Sequence, residues 1–276
     1  MIRVMTWNLW WRFGPWQERS KAILRTLRDV RPDVVGLQEV WARDGENLAG
    51  WLANELGMEW IWAPSTEPGR WQRRIGDPTV EVGNAVLSRW PIAARETVVL
   101  PAGEEEPDGQ QALYARVAAP GGVAVPFFTT HLLSHAHASA TRRAQVSALA
   151  RFVHRRRGDG DFPPVVTGDF NAEPDSDEMR LLSGTKTAPA VRGQVLYDAW
   201  RYARPGAAGA TWDLANPHAA RVLEWDARID YVLVGPAGPR GEGHVRDVRR
   251  AGDAPVDGVW ASDHCAVVAD LATTAG

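Results

Sequence analysis

The sequence predicts an α/β protein in which two mixed β-sheets pack face to face with helices on the outside. Strand-like runs alternate with amphipathic helices early in the chain, and hairpin-like strand runs dominate later. The chemically active side chains also keep to strand ends. Asn8, Glu39, His131 and Asp169 follow apolar runs, whereas Asp263 and His264 precede one. The end of a strand and the start of an antiparallel neighbour lie on one sheet edge, so this polarity predicts a single shared cleft. No internal repeat or long low-complexity linker interrupts the 276 residues, so 1–276 reads as one domain.

Strands are expected at Ile2–Thr6, Asp33–Gln38, Gly83–Ser88, Ala112–Ala118, Val123–Thr129, Pro164–Thr167, Arg228–Val234, Val245–Arg249 and Ala266–Leu271, each short and rich in Val, Ile, Leu or Phe. A helix is expected over Pro15–Val30, where Ile23, Leu24, Leu27 and Val30 recur at helical spacing before Pro32 ends the run. Gly45–Leu56 places Leu48, Trp51, Leu52 and Leu56 on one face, with Gly57 closing the helix. Ser139–Arg156 carries Val146, Leu149 and Val153, with Ser139 as its expected cap. Ser176–Ser183 is a short helix capped by Ser176 and ended by Gly184. The Pro/Gly-rich pieces Pro101–Gly109, Pro205–Gly209 and Gly235–Gly243 read as surface loops.

A hydrophobic content of 45% and a charged content of 24% exclude disordered and fibrous classes. The formal net charge of −3 gives no global electrostatic footprint for nucleic acid, although a local basic groove is compatible with it. Cys265 is the lone cysteine, so neither an internal disulfide nor a thiolate zinc site can form. No signal-peptide pattern opens the chain and no apolar run reaches the length of a transmembrane segment, so a cytoplasmic protein is expected. No protein partner is inferable.

Hard-oxygen donors suit Mg²⁺ or Mn²⁺. Glu39, after Val34–Gln38, is either such a ligand or the exposed end of a strand. Asp169 and Asn171 are spaced to polarise a water and to donate hydrogen bonds to a developing pentacoordinate phosphorus. Gly168-Asp169-Phe170-Asn171 is equally good Asx-turn chemistry. Asp230 sits inside an apolar run, which is costly unless the carboxylate is partnered. Its partner is either His264, whose tautomer it would fix, or an arginine such as Arg228. His131 suits phosphate contact or general-acid work. A set of His131, His135 and His137 holding zinc is the competing arrangement, although its spacing matches no recognised zinc pattern.

Taken in order, Trp7-Asn8, Gln38-Glu39, Thr130-His131, Gly168-Asp169-Phe170-Asn171, Ile229-Asp230-Tyr231 and Ser262-Asp263-His264 resemble the endonuclease/exonuclease/phosphatase superfamily, from Met1 to about Leu271. The resemblance implies a four-layer α/β sandwich of the deoxyribonuclease I type and metal-dependent hydrolysis of a phosphoester. It further implies Asn8 and Glu39 at the metal with Asp263 nearby, Asp169 on the nucleophilic water, Asn171 on the transition state, and Asp230 orienting His264. His131 resembles the pancreatic deoxyribonuclease, sphingomyelinase and inositol-phosphatase branches, and Ser262–Cys265 the abasic-site enzymes. Ala172-Glu173-Pro174 lacks the basic residue that inositol 5-phosphatases place beyond the asparagine.

The substrate classes left open are a nucleic acid, a phospholipid head group or a small phosphate ester. Trp10, Trp11, Arg12, Phe13 and Trp16, with Trp62, Arg70, Trp71 and Arg73, are expected near the cleft mouth or in core packing. A catalytically inactive relative acting as a binding module would lack a site residue, and none is missing.

Overall fold

Strand β1 (Ile2–Asn8) is buried almost throughout, as its Ile, Val, Met and Trp content requires, and it occupies the interior of its sheet. It pairs in parallel with β2 (Val34–Arg43) and antiparallel with β13 (Ala266–Leu271). The computed structural model describes residues 1–103, 109–158, 162–222 and 225–273, so the loop expected at Pro101–Gly109 lies partly outside the described residues. Among the described residues, a seven-stranded sheet runs β12 (Val245–Ala251), β13, β1, β2, β5 (Glu81–Ser88), β4 (Glu59–Pro64), with the short β3 (Glu46–Asn47) on the end of β2. A six-stranded sheet runs β10 (Tyr197–Asp198), β11 (Asp230–Val234), β9 (Val165–Asp169), β8 (Val123–His131), β7 (Gln111–Ala119), β6 (Ile92–Val99).

The two sheets bury a shared core in which Val4, Val34 and Val86 of the first face Ala115, Phe127 and Val232 of the second. On the outer side of the first sheet, α1 (Trp16–Val30) and α2 (Leu48–Leu56) pack Ile23, Leu27, Leu48 and Leu52 against Trp7, Leu37 and Val268. On the outer side of the second, α4 (Ser139–Arg156) and α5 (Asp177–Ser183) pack Val146, Leu149, Met179 and Leu182 against Phe128, Val166 and Leu233. Each such buried side chain contributes about 1.5–3 kcal/mol relative to exposure. The result is the expected four-layer α/β sandwich. No helix among the described residues is long and apolar enough to cross a membrane.

Local rules decide most boundaries. Gly57 and Gly184 take left-handed backbone after α2 and α5, and Ser176 accepts the Met179 amide, as expected. Two helix starts differ. Asn47 caps α2, its Oδ1 accepting from the amides of Ala49 and Gly50, so the helix begins at Leu48 rather than Gly45. Ser139 is the first residue of α4, and no side chain caps that helix. The sequence reading passes over β4 and β6, which lie at sheet edges and expose much of their surface, and the short helix α3 (Gly69–Ile75).

Towards the edge that carries the polar residues, the contact between sheets turns polar. Thr6 donates to Gln38 Oε1, Gln38 Nε2 donates to Thr129 Oγ1 at 2.8 Å, and Thr167 donates to the Phe128 carbonyl. Gly36 lies against this seam, where a Cβ would sit 2.4 Å from Thr167 Oγ1 and 2.6 Å from Thr129 Oγ1. Gly36→Ala is therefore expected to lower unfolding stability by about 1–3 kcal/mol in denaturant titration, since overpacking forces the sheets apart. An unchanged midpoint would show that the seam yields freely.

Candidate active site

Strand register assembles the site. In the six-stranded sheet Asp169 is paired with His131 on parallel β8 and with Asp230 on antiparallel β11, giving a row across the end of three strands. In the facing sheet Asn8 ends β1 opposite Gln38. Glu39 does not terminate a strand. The β2–β5 register shifts between Leu37 and Val40, and Glu39 takes a left-handed φ of 53° within that bulge. The bulge breaks the pleat alternation, and Glu39 lines the cleft at 8% exposure while β2 continues to Arg43. Beyond it, Leu9 N donates to the Gln38 carbonyl and Trp11 N to the Glu39 carbonyl, carrying the Trp10–Trp11 turn along the bulge.

The segment before β13 is tied to β1. Ser262 Oγ donates to the Asn8 carbonyl at 2.6 Å, His264 N donates to Ser262 Oγ, and Trp7 Nε1 donates to the His264 carbonyl. Asp263 and His264 thereby join the same cleft as Glu39, His131, Asp169 and Asn171.

Asn8 connects the two sheets chemically. Its Nδ2 donates to Glu39 Oε1 at 3.0 Å and to Asp169 Oδ2 at 2.9 Å, while its Oδ1 accepts from Trp10 N. In this arrangement the Asn8 oxygen is already engaged, so its carboxamide orients two carboxylates. Glu39 Oε2 is buried with no hydrogen-bond partner. Such an orphaned anionic oxygen, beside the second carboxylate of Asp263, fits a hard divalent cation. The expected Asx turn is present, and its residues line the cleft: Asn171 N donates to Asp169 Oδ1, and Asn171 takes φ 47°. Asn171 Nδ2 donates to the Leu132 carbonyl, leaving its second amide hydrogen available. Phe170 between them is fully buried against Tyr231, as expected.

Asp230 pairs with His264, at 2.9 Å from Oδ2 to Nδ1, whereas Arg228 pairs with Asp198. The His264 Nε2 then lies 3.8 Å from Asp169 Oδ2, and His131 Nε2 lies 3.5 Å from the same oxygen. Burial alone would push the His264 imidazole down, but the carboxylates of Asp230 and Asp169 override it and hold its pKa well above the usual histidine value. Burial also raises Asp230, against the opposing charge of His264. Both directions follow from one proton shared by the pair, which we assign to the imidazole because Asp169 faces its other edge. Burial pushes the Asp263 carboxyl up to about 7; His264 opposes this, Glu39 adds to it and Arg19 opposes it.

Asp169, Asp230 and His264 converge closely enough to hold a metal ion. The His264–Asp230 bond occupies that geometry, and Glu39 with Asp263 offers the better oxygen set. His135 and His137 stack on each other with ring centroids 5.5 Å apart, and among the described residues no convergent ligand group joins them to His131. Of the aromatic and basic residues expected near the mouth, Trp10, Phe13, Arg70 and Trp71 line the cleft. Trp11 is core, and Arg12 instead sits over Trp16 and Trp41.

Several contributors escape the sequence reading. Arg19 is buried on the apolar stripe of α1, and its guanidinium donates to the carbonyls of Leu9, Trp10, Trp11, Phe13 and Ala261. Burial lowers its pKa to about 10. A charged residue in helical register with Ala22 and Ile23 is the signal that marks it. Thr211 Oγ1 accepts the amides of Ile229 and Asp230, and Trp212 sets its ring edge-on to His264, 5.1 Å between centroids. Neither lies in a strand run that sequence patterning picks out. Arg74 also reaches the cleft, whereas Arg73 is not among the residues that line it.

No curated protein sequence matches the chain. Similar solved structures include the human Nocturnin catalytic domain with bound sulfate, at 21% identity and TM-score 0.74, covering 99% of this chain and 94% of that one. TDP2 of D. rerio, complexed with a single-strand DNA product, gives 18% identity and TM-score 0.76, with 99% of each chain covered. A mannosyl-6-phosphatase of Bacteroides thetaiotaomicron gives 17% identity and TM-score 0.72, covering 99% of this chain and 100% of that one. These likenesses describe the fold. The sequence model of the Endonuclease/Exonuclease/phosphatase family matches residues 5–264, and the chain belongs to that family.

Proposed function

We propose that the protein is a divalent-metal-dependent phosphoester hydrolase, acting by in-line attack of an activated water. Family membership supplies the reaction class, hydrolysis of phosphoester bonds. The observation that carries the finer reading is the His264–Asp230 pair facing Asp169, opposite the unpartnered Glu39 oxygen in one cleft. Glu39 and Asp263 would hold the cation, Mg²⁺ or Mn²⁺ by donor type, with Asn8 orienting Glu39. Bound there, such an ion supplies Lewis-acid stabilisation of phosphoryl oxygens.

The chain's own groups divide the remaining work. Asp169, held by Asn8 and by the Asn171 amide, keeps a fixed carboxylate to accept the proton of the attacking water. His264, kept protonated by Asp230, contributes positive charge and a donor at Nε2 towards phosphoryl oxygen. The free amide hydrogen of Asn171 donates to charge that develops in the transition state. His131 contacts phosphate or protonates the leaving oxygen. The lone, buried Cys265 is in keeping with the cytoplasmic setting we propose. The substrate is a nucleic acid, a phospholipid head group or a small phosphate ester.

With Mg²⁺ present, Asp169→Ala and His264→Ala are each expected to lower kcat on bis-p-nitrophenyl phosphate by about 100- to 10,000-fold with circular dichroism unchanged. Near-normal turnover in either folded variant would sink the assignment. EDTA should abolish hydrolysis, and Mg²⁺ or Mn²⁺ should restore it; restoration by Zn²⁺ alone would favour a histidine-ligated site instead. In protein stripped of divalent ions, folded Asp263 keeps its proton up to about 7, whereas its ordinary value is 3.8. The stability this group contributes is therefore present at low pH and is lost as pH rises through that window. Thermal midpoints measured in EDTA should fall from about pH 5 to about pH 7 in the wild type, and less steeply in Asp263→Asn. Equal slopes would show that Asp263 does not titrate there.

A further inference from the structure

The walls of the cleft differ in charge. On one side α3 presents Arg70 and Arg74 beside Trp71, whose ring meets that of His131 at a centroid distance of 6.1 Å. The Arg74 guanidinium lies over the Phe13 ring at 4.4 Å and over Trp71 at 5.5 Å. Among the described residues no carboxylate pairs with Arg74. A guanidinium held over aromatic faces keeps its N–H donors available to an anion. Arg70 Nη2 donates to Ser134 Oγ at 3.2 Å, which anchors it across the cleft mouth. On the other side, past Asn171, the adjoining depression is walled by Glu173, Asp175, Trp212 and Trp225. Its arginine, Arg142, is buried and already donates to Glu178 at 3.0 Å. The α3 side is thus the basic wall of the cleft and the other side the acidic one.

We propose that Arg74, with Arg70 beside it, forms a subsite for a second phosphate of the substrate, next to the phosphate being hydrolysed. This rests on the phosphoester-hydrolase reading above. On the floor between the walls, Glu39 and Asp263 are assigned to the cation and His264 to the phosphate being hydrolysed, so a second phosphate is left with the guanidinium of Arg74. The fork of a guanidinium matches phosphate oxygens bidentately. Nucleotide chains and phosphorylated polyol headgroups both carry paired phosphates, and the chemistry shared by the two is what Arg74 reads.

The test compares thymidylyl-thymidine with and without a terminal phosphate, and glycerophosphoinositol with and without a ring phosphate. In the wild type the extra phosphate is expected to raise kcat/KM by about tenfold in at least one pair, the scale of one charge-assisted contact. Which pair responds identifies the source of the second phosphate. Arg74→Ala and Arg74→Gln should each remove most of that gain, the glutamine variant retaining the stem over Phe13. Arg73→Ala, which removes the same charge from the same helix outside the cleft lining, should keep it. A gain equal in the wild type and both Arg74 variants, or absent from both wild-type pairs, would overturn the subsite. Calorimetric binding of the same compounds separates the two proposals. Should the wild type hydrolyse neither these compounds nor bis-p-nitrophenyl phosphate, the hydrolase reading fails, and the subsite stands only if the extra phosphate tightens binding in the wild type but not in Arg74→Ala.

Discussion

The bond from Asn8 Nδ2 to Asp169 Oδ2 spans the two sheets at the point where their contact ceases to be apolar. Asp169 is almost wholly buried, and a carboxylate in that position persists only if its oxygens are paired. One oxygen is held from the opposite sheet by Asn8, and the other from its own turn by the Asn171 amide. The sheets must therefore approach closely at this end, which makes the small cross-section of Gly36 and the threonine seam prerequisites of that bond. Below that seam the sandwich is an ordinary packed core. Above it, the same two sheets serve as opposing walls that hold charge.

Backbone strain collects at this rim. Trp10, Trp11, Glu39 and Asn171 all take left-handed φ without being glycine. Such conformations persist when the surroundings over-determine them. Here the surroundings are identifiable: Arg19 gathers the carbonyls of the Trp10–Trp11 turn, Asn8 fixes Glu39, and Asp169 fixes Asn171. The strained backbone puts Trp10, Glu39 and Asn171 on the cleft, whereas Trp11 turns into the core.

These same features explain how far the sequence is legible. Asp230 can be read because a carboxylate in Ile229–Val234 violates strand patterning and demands a partner. Asp169 and Asn171 can be read because the turn, and the catalytic roles proposed for them, call for the same residues at the same spacing. Glu39 is read as a candidate but misplaced as a strand terminus, because a bulge alters one φ and leaves no mark in composition. The edge strands β4 and β6 carry too few buried positions to show alternation. Arg74 and Trp212 reach the cleft through tertiary proximity, which local pattern does not encode.

The position of β1 has a consequence for how the molecule comes into being. Ser262 closes on Asn8 across a separation of 254 residues, so β1 leaves the ribosome long before its sheet neighbour β13. During synthesis Asn8 and Glu39 emerge early, while His264 must leave the ribosome before the imidazole joins Asp169 and Asp230. A nascent chain therefore holds an incomplete polar cluster until β13 has been made, and a product cut short before Ser262 lacks Asp263 and His264. Chain order acts as a timer on the assembly of that cluster.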